Sequence, residues 1–163
     1  MSINNIIIRE IQPQDNAILE TLIRSIFIEF EISLVNSTFE DEEMLNLFDF
    51  YQGNREVFYV IEMDYKIVGG GGIKPLLGGD GDICELQKMY FLPELRGKGY
   101  GKVILEKCLN IAREMGYEKC YLESGQQLTT AISLYEKIGF KHLTEPLGNT
   151  GHHSCNIWML KDL

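Results

Sequence analysis

Several features that define other classes of protein are missing from this sequence. No apolar run approaches the roughly 18 residues of a membrane-spanning helix, and no secretory signal pattern is present. The four cysteines contain no C-x-x-C pair, which excludes the commonest structural zinc motifs. We therefore expect a cytoplasmic protein that makes no membrane contact and keeps its thiols reduced.

Basic residues are scarce relative to acidic ones. The chain has 15 Lys and Arg residues against 24 Asp and Glu residues, which gives a formal net charge of −9. This balance disfavours nucleic-acid binding and is compatible either with a cationic substrate or simply with solubility. Hydrophobic residues make up 45% of the 163 residues, so we exclude a disordered chain and expect one folded domain, residues 1–163.

The stretch from Cys84 to Met115 has the most distinct pattern of the chain. Hydrophobic residues recur at every second position before Pro93 and at helical intervals after Gly101, which predicts a strand, a turn and a helix. Gly116 follows where a left-handed helix cap is expected. Strict alternation would place Cys84, Leu86, Lys88 and Tyr90 on one strand face and Glu85, Gln87, Met89 and Phe91 on the other.

Glycines and basic residues alternate in the turn between this strand and this helix. They are Arg96, Gly97, Lys98, Gly99, Gly101 and Lys102. The glycines would let backbone N–H groups approach a ligand, and the start of a helix leaves such groups unpaired. We interpret the turn as a phosphate-binding site. It is not a P-loop, because Val103 stands where Ser or Thr is needed, and its glycine spacing does not match the dinucleotide fingerprint.

The remaining elements follow from the same periodicities. We predict strands over residues 5–11, 56–63, 66–73, 119–124, 140–143 and 156–160. We predict helices over 15–30, from 37 or 38 to before 53, and over 129–138. A tight turn is expected at Asp64-Tyr65, and the four glycines at 69–72 are unusual inside a strand.

The glycine turn resembles the acyl-CoA pyrophosphate loop of the GNAT N-acetyltransferase superfamily, Arg/Gln-x-x-Gly-x-Gly/Ala, through Arg96, Gly99 and Gly101. The segment from Ala131 to Phe140 is also similar to this superfamily. The resemblance implies the α/β (α+β) class and the GNAT acyl-CoA N-acyltransferase fold: a mixed, mostly antiparallel sheet of about seven strands, flanked by helices on both faces.

The same resemblance implies an activity. The expected protein is an N-acetyltransferase that moves an acetyl group from acetyl-CoA, its co-substrate, to a primary amine by direct attack in a ternary complex. A non-catalytic acyl-CoA-binding or regulatory module on the same fold is the alternative. The residues implied in cofactor binding are Met89, Tyr90, Phe91, Arg96, Gly97, Lys98, Gly99, Tyr100, Gly101 and Lys102.

Two glutamates and one tyrosine are the candidate catalytic residues. Glu85 precedes Arg96 by eleven residues and Glu123 precedes Tyr135 by twelve, and branches of the superfamily carry the general base at either spacing. Either glutamate could instead be structural. Tyr135 resembles the residue that protonates the departing CoA sulfur, although a tyrosine on a helical stripe is also a common core residue.

The acceptor amine is not defined by the sequence. Acidic residues between 29 and 43 could attract a cationic amine or form a solvated helix face; they are Glu29, Glu31, Glu40, Asp41, Glu42 and Glu43. His152, His153 and Cys155 are too few for a structural zinc site, so we expect no metal and interpret the histidines as acceptor-site lining or loop polarity. Small-molecule and protein amines are both compatible with the sequence, as is a homodimer.

Overall fold

Seven strands form one open sheet in the computed structural model, which describes residues 4–35, 37 and 40–163. The strands are β1 (Ile6–Glu10), β2 (Val57–Met63), β3 (Lys66–Pro75), β4 (Ile83–Phe91), β5 (Lys119–Ser124), β6 (Lys141–His142) and β7 (Ile157–Asp162). Their order across the sheet is β1-β2-β3-β4-β5-β7-β6. All neighbouring pairs are antiparallel except β4 and β5. The mixed, mostly antiparallel sheet predicted from the sequence is therefore confirmed.

Helices cover both faces of this sheet. They are α1 (Asn16–Glu29), α2 (Leu47–Phe50), α3 (Tyr100–Glu114) and α4 (Thr129–Ile138). One hydrophobic core joins α1 and α2 to Phe58 and Val60 of β2, and a second joins α3 and α4 to Tyr59 and Ile61 of the same strand. Successive residues of β2 thus enter opposite cores, as the two-residue period of a strand requires. Within the described ranges, no helix is long and apolar enough to cross a membrane.

Several predicted boundaries agree closely with the structure. The helix α4 has the predicted bounds, and α3 begins at Tyr100, inside the glycine run. Gly116 follows α3 with φ of 86°, the left-handed conformation expected of a helix cap. Asp64 and Tyr65 both have positive φ, as the tight turn of a hairpin requires, and this turn joins β2 to β3.

The single helix predicted between residues 37 or 38 and 53 is wrong. A 3₁₀ turn, Glu42–Leu45, is followed by the short helix α2, and Asn46 separates them with a φ of −147° and a ψ of 57°. The side chain of Asn46 donates to Asp49 at 2.6 Å and accepts from Asn16 at 3.0 Å. Such local side-chain bonds compete with helical backbone bonds. The predicted start at Thr38 lies outside the described residues.

A β-bulge in β4 overturns the strict alternation that the sequence predicted there. Gly70 pairs with Tyr90 and Gly72 with Gln87, so Lys88 and Met89 together oppose one residue of β3. Lys88 has φ of 52°, which marks it as the irregular residue. The extra residue reverses the faces beyond it. Met89 and Phe91 therefore share the α3-side core with Cys84 and Leu86, while Tyr90 packs in the α1-side core.

The glycines of β3 make room for aromatic rings on both sides of the sheet. A Cβ at Gly69 would lie 2.5 Å from the ring of Phe91, and a Cβ at Gly70 would lie 2.8 Å from the ring of Phe58. Real Cβ contacts are longer than this, so the rings occupy the space that side chains would take. This packing is a structural reason for a glycine run that strand propensity disfavours.

Strands β4 and β5 separate soon after they meet. Their parallel pairing covers only Ile83, Cys84 and Glu85 opposite Lys119, Cys120 and Tyr121. Beyond Glu85, β4 continues toward the bulge and the glycine turn, while β5 continues in its pairing with β7. The gap between the two strands opens into a cavity.

Candidate active site

A cavity of about 230 Å³ lies where β4 and β5 diverge. Its walls come from β4 residues 85–90, the end of β5, helix α4, the segment after α1, and the loop before β7. The three predicted catalytic residues, Glu85, Glu123 and Tyr135, all line it, as do Met89 and Tyr90 of the predicted cofactor-binding set. The fold therefore brings both candidate bases and the candidate acid to one place.

Glu85 carries a buried carboxyl group and is the last residue of β4 that pairs with β5. Its residue is 3% exposed, and its Oε2 accepts a hydrogen bond of 3.0 Å from Gln87 Nε2. Gln87 is oriented in turn by Tyr51, whose hydroxyl donates to Gln87 Oε1. Burial raises the pKa of Glu85, the hydrogen bond from Gln87 lowers it, and the charge of Glu123 raises it again, to about 7 overall. A carboxyl group with such a pKa can accept a proton near neutral pH.

Glu123 has the opposite electrostatic character. Its Oε1 accepts from the hydroxyl of Tyr121 at 2.7 Å, and its Oε2 accepts from Thr150 Oγ1 at 2.7 Å. His152 Nδ1 lies 3.4 Å from the same Oε2. Burial alone would raise the pKa of Glu123, but the hydrogen bonds from His152, Thr150 and Tyr121 outweigh burial and lower it. Both oxygens of this carboxylate are thus engaged within the protein.

His152 bridges two carboxylates in the cavity wall. Its Nε2 lies 2.7 Å from Asp41 Oδ1, and its Nδ1 faces Glu123. Burial lowers the pKa of His152, but the hydrogen bonds to Asp41 and Glu123 outweigh burial and raise the pKa to about 9. The ring is therefore an imidazolium at neutral pH, and both of its nitrogens act as donors.

Lys88 is the second buried cation of the site. Its side chain is fully buried, and its Nζ donates to Asp41 Oδ2 at 3.0 Å and to Glu43 Oε1 at 2.8 Å. Lys74 Nζ lies 3.5 Å from the other oxygen of Glu43. Sequence reasoning missed this residue. The consecutive polar residues Gln87 and Lys88 break the alternation and could have indicated the bulge, but no pattern indicates a buried lysine.

Six side chains thus form an unbroken series of alternating charge, which we call the charge chain. In order they are Lys74, Glu43, Lys88, Asp41, His152 and Glu123. Asp41 has a lowered pKa because the interactions with His152 and Lys88 outweigh the raising effect of burial. Glu85 is not a member of the charge chain, since its hydrogen-bond partner is the neutral Gln87.

Tyr135 lies on α4 with its hydroxyl directed at β4. The residue is 6% exposed, and its hydroxyl contacts the sulfur of Met89 at 3.7 Å. Its ring packs edge-on against Phe140. Burial raises the pKa of Tyr135, so the hydroxyl keeps its proton at neutral pH. The side chain is therefore a proton donor placed beside the bulged strand.

The glycine turn presents backbone rather than side-chain groups. Gly97 and Gly99 have φ of 75° and 84°, and no atom of the described residues lies within 4 Å of a Cβ built at either position. Gly99 is the N-terminal cap of α3, whose first N–H groups have no acceptor within the helix. The guanidinium of Arg96 is engaged elsewhere: it donates to the carbonyl of Phe91 at 3.0 Å and pairs with Glu29. The turn is thus an open backbone cradle for an anion.

Glu85, Glu123 and His152 could also be considered as metal ligands, since each offers an atom within 4.8 Å of the others. A metal-binding histidine needs a nitrogen without a proton. Both nitrogens of His152 are committed to carboxylates, and the resulting imidazolium cannot donate a lone pair. The contacts of this group therefore favour a proton-transfer site over a metal centre.

This site combines diverging strands, a glycine turn with open backbone groups, and the buried hydroxyl of Tyr135. That combination is typical of the acyltransferases that the sequence resembles. Comparison with known proteins agrees. The family described as Acetyltransferase (GNAT) family matches residues 20–140. Because this match covers well over half of the chain, the protein belongs to the GNAT acetyltransferase family.

Individual relatives support the same assignment. The chain is 42% identical to the uncharacterized N-acetyltransferase YjgM of Escherichia coli, over 96% of this chain and 95% of that protein. A GNAT-family acetyltransferase from Staphylococcus aureus Mu50 superposes with a TM-score of 0.83 at 21% identity, covering 97% and 99% of the two chains. The PaiA N-acetyltransferase from Thermoplasma acidophilum, solved in complex with coenzyme A, gives 0.75 at 24% identity, covering 98% and 99%. At these identities the two structures support the fold.

Proposed function

We propose that this protein is an acetyl-CoA-dependent N-acetyltransferase that transfers acetyl to a primary amine by direct attack, with Glu85 as the general base and Tyr135 as the general acid. The observation that carries the proposal is the position of Glu85. A buried carboxyl group with a raised pKa faces the cavity between β4 and β5, within reach of an amine in that cavity. Acetyl-CoA would supply the activated thioester.

The fold offers two sets of backbone groups for the cofactor. The unpaired N–H groups at the start of α3, with Lys98 and Lys102 nearby, suit a pyrophosphate. The bulge at Lys88 and Met89 interrupts the pairing of β4 with β3, and the divergence of β5 leaves the other edge of β4 open toward the cavity. This open edge at residues 89–91 suits the amide groups of a pantetheine arm. The Thermoplasma acidophilum structure, solved with coenzyme A, supports coenzyme A as a ligand of this fold.

Of the two glutamates, Glu85 suits the base role better. An amine that attacks a thioester must first lose a proton, and Glu85 accepts protons near pH 7. Glu123 has a lowered pKa, and its oxygens are held by Tyr121, Thr150 and His152. We assign Glu123 to the support of His152.

Tyr135 suits the acid role because its hydroxyl is protonated and already directed toward a sulfur atom, that of Met89. A departing thiolate close to that position would receive the proton. The ammonium loses two protons on becoming an amide nitrogen, one before and one after its attack on the thioester, and Glu85 accepts them and passes them to water. Tyr135 gives one proton to the departing thiolate and regains one from water, so the net reaction releases one proton. No covalent acyl-enzyme is required, and Cys155, in the cavity wall, has a pKa raised to about 12 by burial and nearby carboxylates.

Release of CoA thiol from acetyl-CoA, measured against a panel of primary amines, tests this proposal. The protein should turn over at least one amine, and Tyr135→Phe should lower the rate by about tenfold or more, equivalent to about 1.4 kcal/mol of barrier. Tyr65→Phe is a matched control, because Tyr65 is 88% exposed in the β2–β3 turn and should retain full activity. Acetyl-CoA binding without any turnover would favour a non-catalytic acyl-CoA-binding module instead.

A further inference from the structure

The charges around the acceptor cavity restrict the charge of the molecule that can enter it. The charge chain contains three cations and three carboxylates, and these cancel. Among the described residues that line the cavity, the acids outside the charge chain are Glu85 and Glu31. Glu31 is exposed at the rim, where water screens its charge. Inside the cavity, Glu85 is therefore the one carboxyl group of the described lining that forms no ion pair with a protein cation, although His152 and Lys88 act on it at longer range and lower its pKa.

We propose that the acceptor is a small monoamine with uncharged polar substituents, so that the nitrogen to be acetylated carries its only charge. This inference rests on the proposed function and deepens it. One ammonium balances one ionised Glu85, after which the site is neutral again. A cavity of about 230 Å³ is below the roughly 300 Å³ at which drug-sized ligand sites begin, which favours a small acceptor or a small end of a larger one.

A second ammonium on the acceptor would have no carboxylate to pair with inside the cavity. Asp41 already binds His152 and Lys88, and Glu123 is held by His152 and two hydroxyl groups. The imidazolium of His152, only 9% exposed, would repel a further cation placed beside it. An uncompensated charge in a buried site is costly. Although the chain is acidic overall, we therefore do not expect the cavity to bind a polyamine.

A carboxylate on the acceptor meets the reverse obstacle. Lys88 is completely buried and bonded to two carboxylates, and both nitrogens of His152 are committed as donors. No cation of the charge chain is therefore free to bind an anionic substituent, and Glu85 would repel it. Neutral polar groups have better partners, since Gln127 and Ser124 line the cavity without formal charge.

A series of three amines of equal length tests the inference. Propanolamine, trimethylenediamine and β-alanine share a three-carbon spacing and differ in a neutral, cationic or anionic terminus. Thiol release should show a kcat/KM for propanolamine about tenfold above both charged members. His152→Gln removes one positive charge from the site. It should raise the kcat/KM for trimethylenediamine, relative to that for propanolamine, by about fivefold. His142→Gln makes the same substitution outside the cavity, on the edge strand β6, and should leave the ranking unaltered.

The outcomes distinguish failure of the inference from failure of the proposed function. Thiol release with any member supports an N-acetyltransferase, whereas a preference for the diamine or for β-alanine, or equal rates for all three, would overturn the inference alone. A diamine preference that disappears in Glu31→Gln would also overturn it, by assigning the second ammonium to the rim. If no amine of any kind releases thiol, the proposed function fails and the inference fails with it.

Discussion

Asp41 accepts a hydrogen bond of 2.7 Å from Nε2 of His152, although the two residues are 111 positions apart in the chain. This contact joins the segment after α1 to the loop before β7. Lys88 binds the other oxygen of Asp41 from the bulge of β4. Three distant segments therefore meet at one carboxylate, and the wall of the cavity depends on charges that no single segment supplies.

The pairing of His152 makes stability depend on pH. The folded protein raises the pKa of His152 from its ordinary 6.5 to about 9, so its contribution to stability is fully present below pH 6.5 and is lost as the pH rises through about 9. We expect His152→Gln to lower the melting temperature clearly near pH 6 and much less near pH 10. Thermal unfolding across this range, wild type beside variant, measures the difference.

His142 provides the control for this experiment. It also faces a glutamate, Glu136, at 2.8 Å, but its side chain is 48% exposed. Ion pairs at exposed positions contribute little to stability. The variant His142→Gln should therefore leave the melting curve nearly unchanged at every pH. A difference between wild type and His152→Gln that stays constant across the range would show that His152 is not charged in the folded protein.

The base role of Glu85 predicts a pH–rate profile. Because Glu85 must be ionised to accept a proton, kcat/KM should rise with pH through about 7 and then level off. The substitution Glu85→Gln removes the base and should lower kcat/KM by about 10²-fold or more, and the rise near pH 7 should disappear. Steady-state kinetics from about pH 5.5 to 9 test both statements.

Glu123→Gln separates the two glutamates. Its amide can still accept from the hydroxyl of Tyr121, but its charge beside His152 is lost. We expect a smaller fall in kcat/KM and a rise with pH that is still present, because Glu85 remains. If instead the rise vanishes in Glu123→Gln and persists in Glu85→Gln, the assignment of the base must be reversed.

Much of the fold was predictable because it depends on short-range patterns. Helix α4 combines an apolar stripe with a terminal glycine, and the glycine turn before α3 marks a helix start by its composition alone. The bulge at Lys88 was not predicted, although the alternation of residue types breaks there, where the polar pair Gln87 and Lys88 precedes three consecutive hydrophobic residues. The break between the 3₁₀ turn and α2 at Asn46 depends on a tertiary contact and a local competitor, neither of which periodicity shows.

The candidate site was only half predictable for a related reason. Sequence spacing selects Glu85, Glu123 and Tyr135, but it cannot distinguish the glutamates. Their difference arises from long-range neighbours, since Glu123 is bound by Thr150 and His152 from another loop. The acidic residues near 41 are compatible, by sequence, with attraction of a cationic amine or with a solvated face. In the structure Asp41 instead pairs with protein cations.

The β3 glycines give a stability prediction with a matched pair. A Cβ at Gly72 would lie 2.5 Å from the carbonyl oxygen of Val57, a backbone atom that cannot move aside cheaply, whereas a Cβ at Gly71 would make ordinary contacts of 3.5 Å with Met89. We expect Gly72→Ala to destabilise the protein by about 1–3 kcal/mol and Gly71→Ala to have little effect. Denaturant unfolding of both variants checks this, and equal losses would contradict the packing argument.

Alanine variants of two glycines with nearly the same backbone conformation distinguish an effect of backbone strain from an effect on cofactor binding. Gly99 precedes α3 with φ of 84°, and Gly116 follows its end with φ of 86°. Within the part of the chain that the structure describes, a Cβ added at either residue would meet no atom within 4 Å. Alanine should therefore cost about 1–2 kcal/mol of stability at either position, through the same left-handed strain.

Only Gly99 belongs to the proposed pyrophosphate cradle. Calorimetric titration should thus show acetyl-CoA affinity falling about tenfold in Gly99→Ala and remaining unchanged in Gly116→Ala, because relief of the strain would turn the N–H groups away from the anion. Equal affinities in the two variants would place the cofactor's phosphates elsewhere.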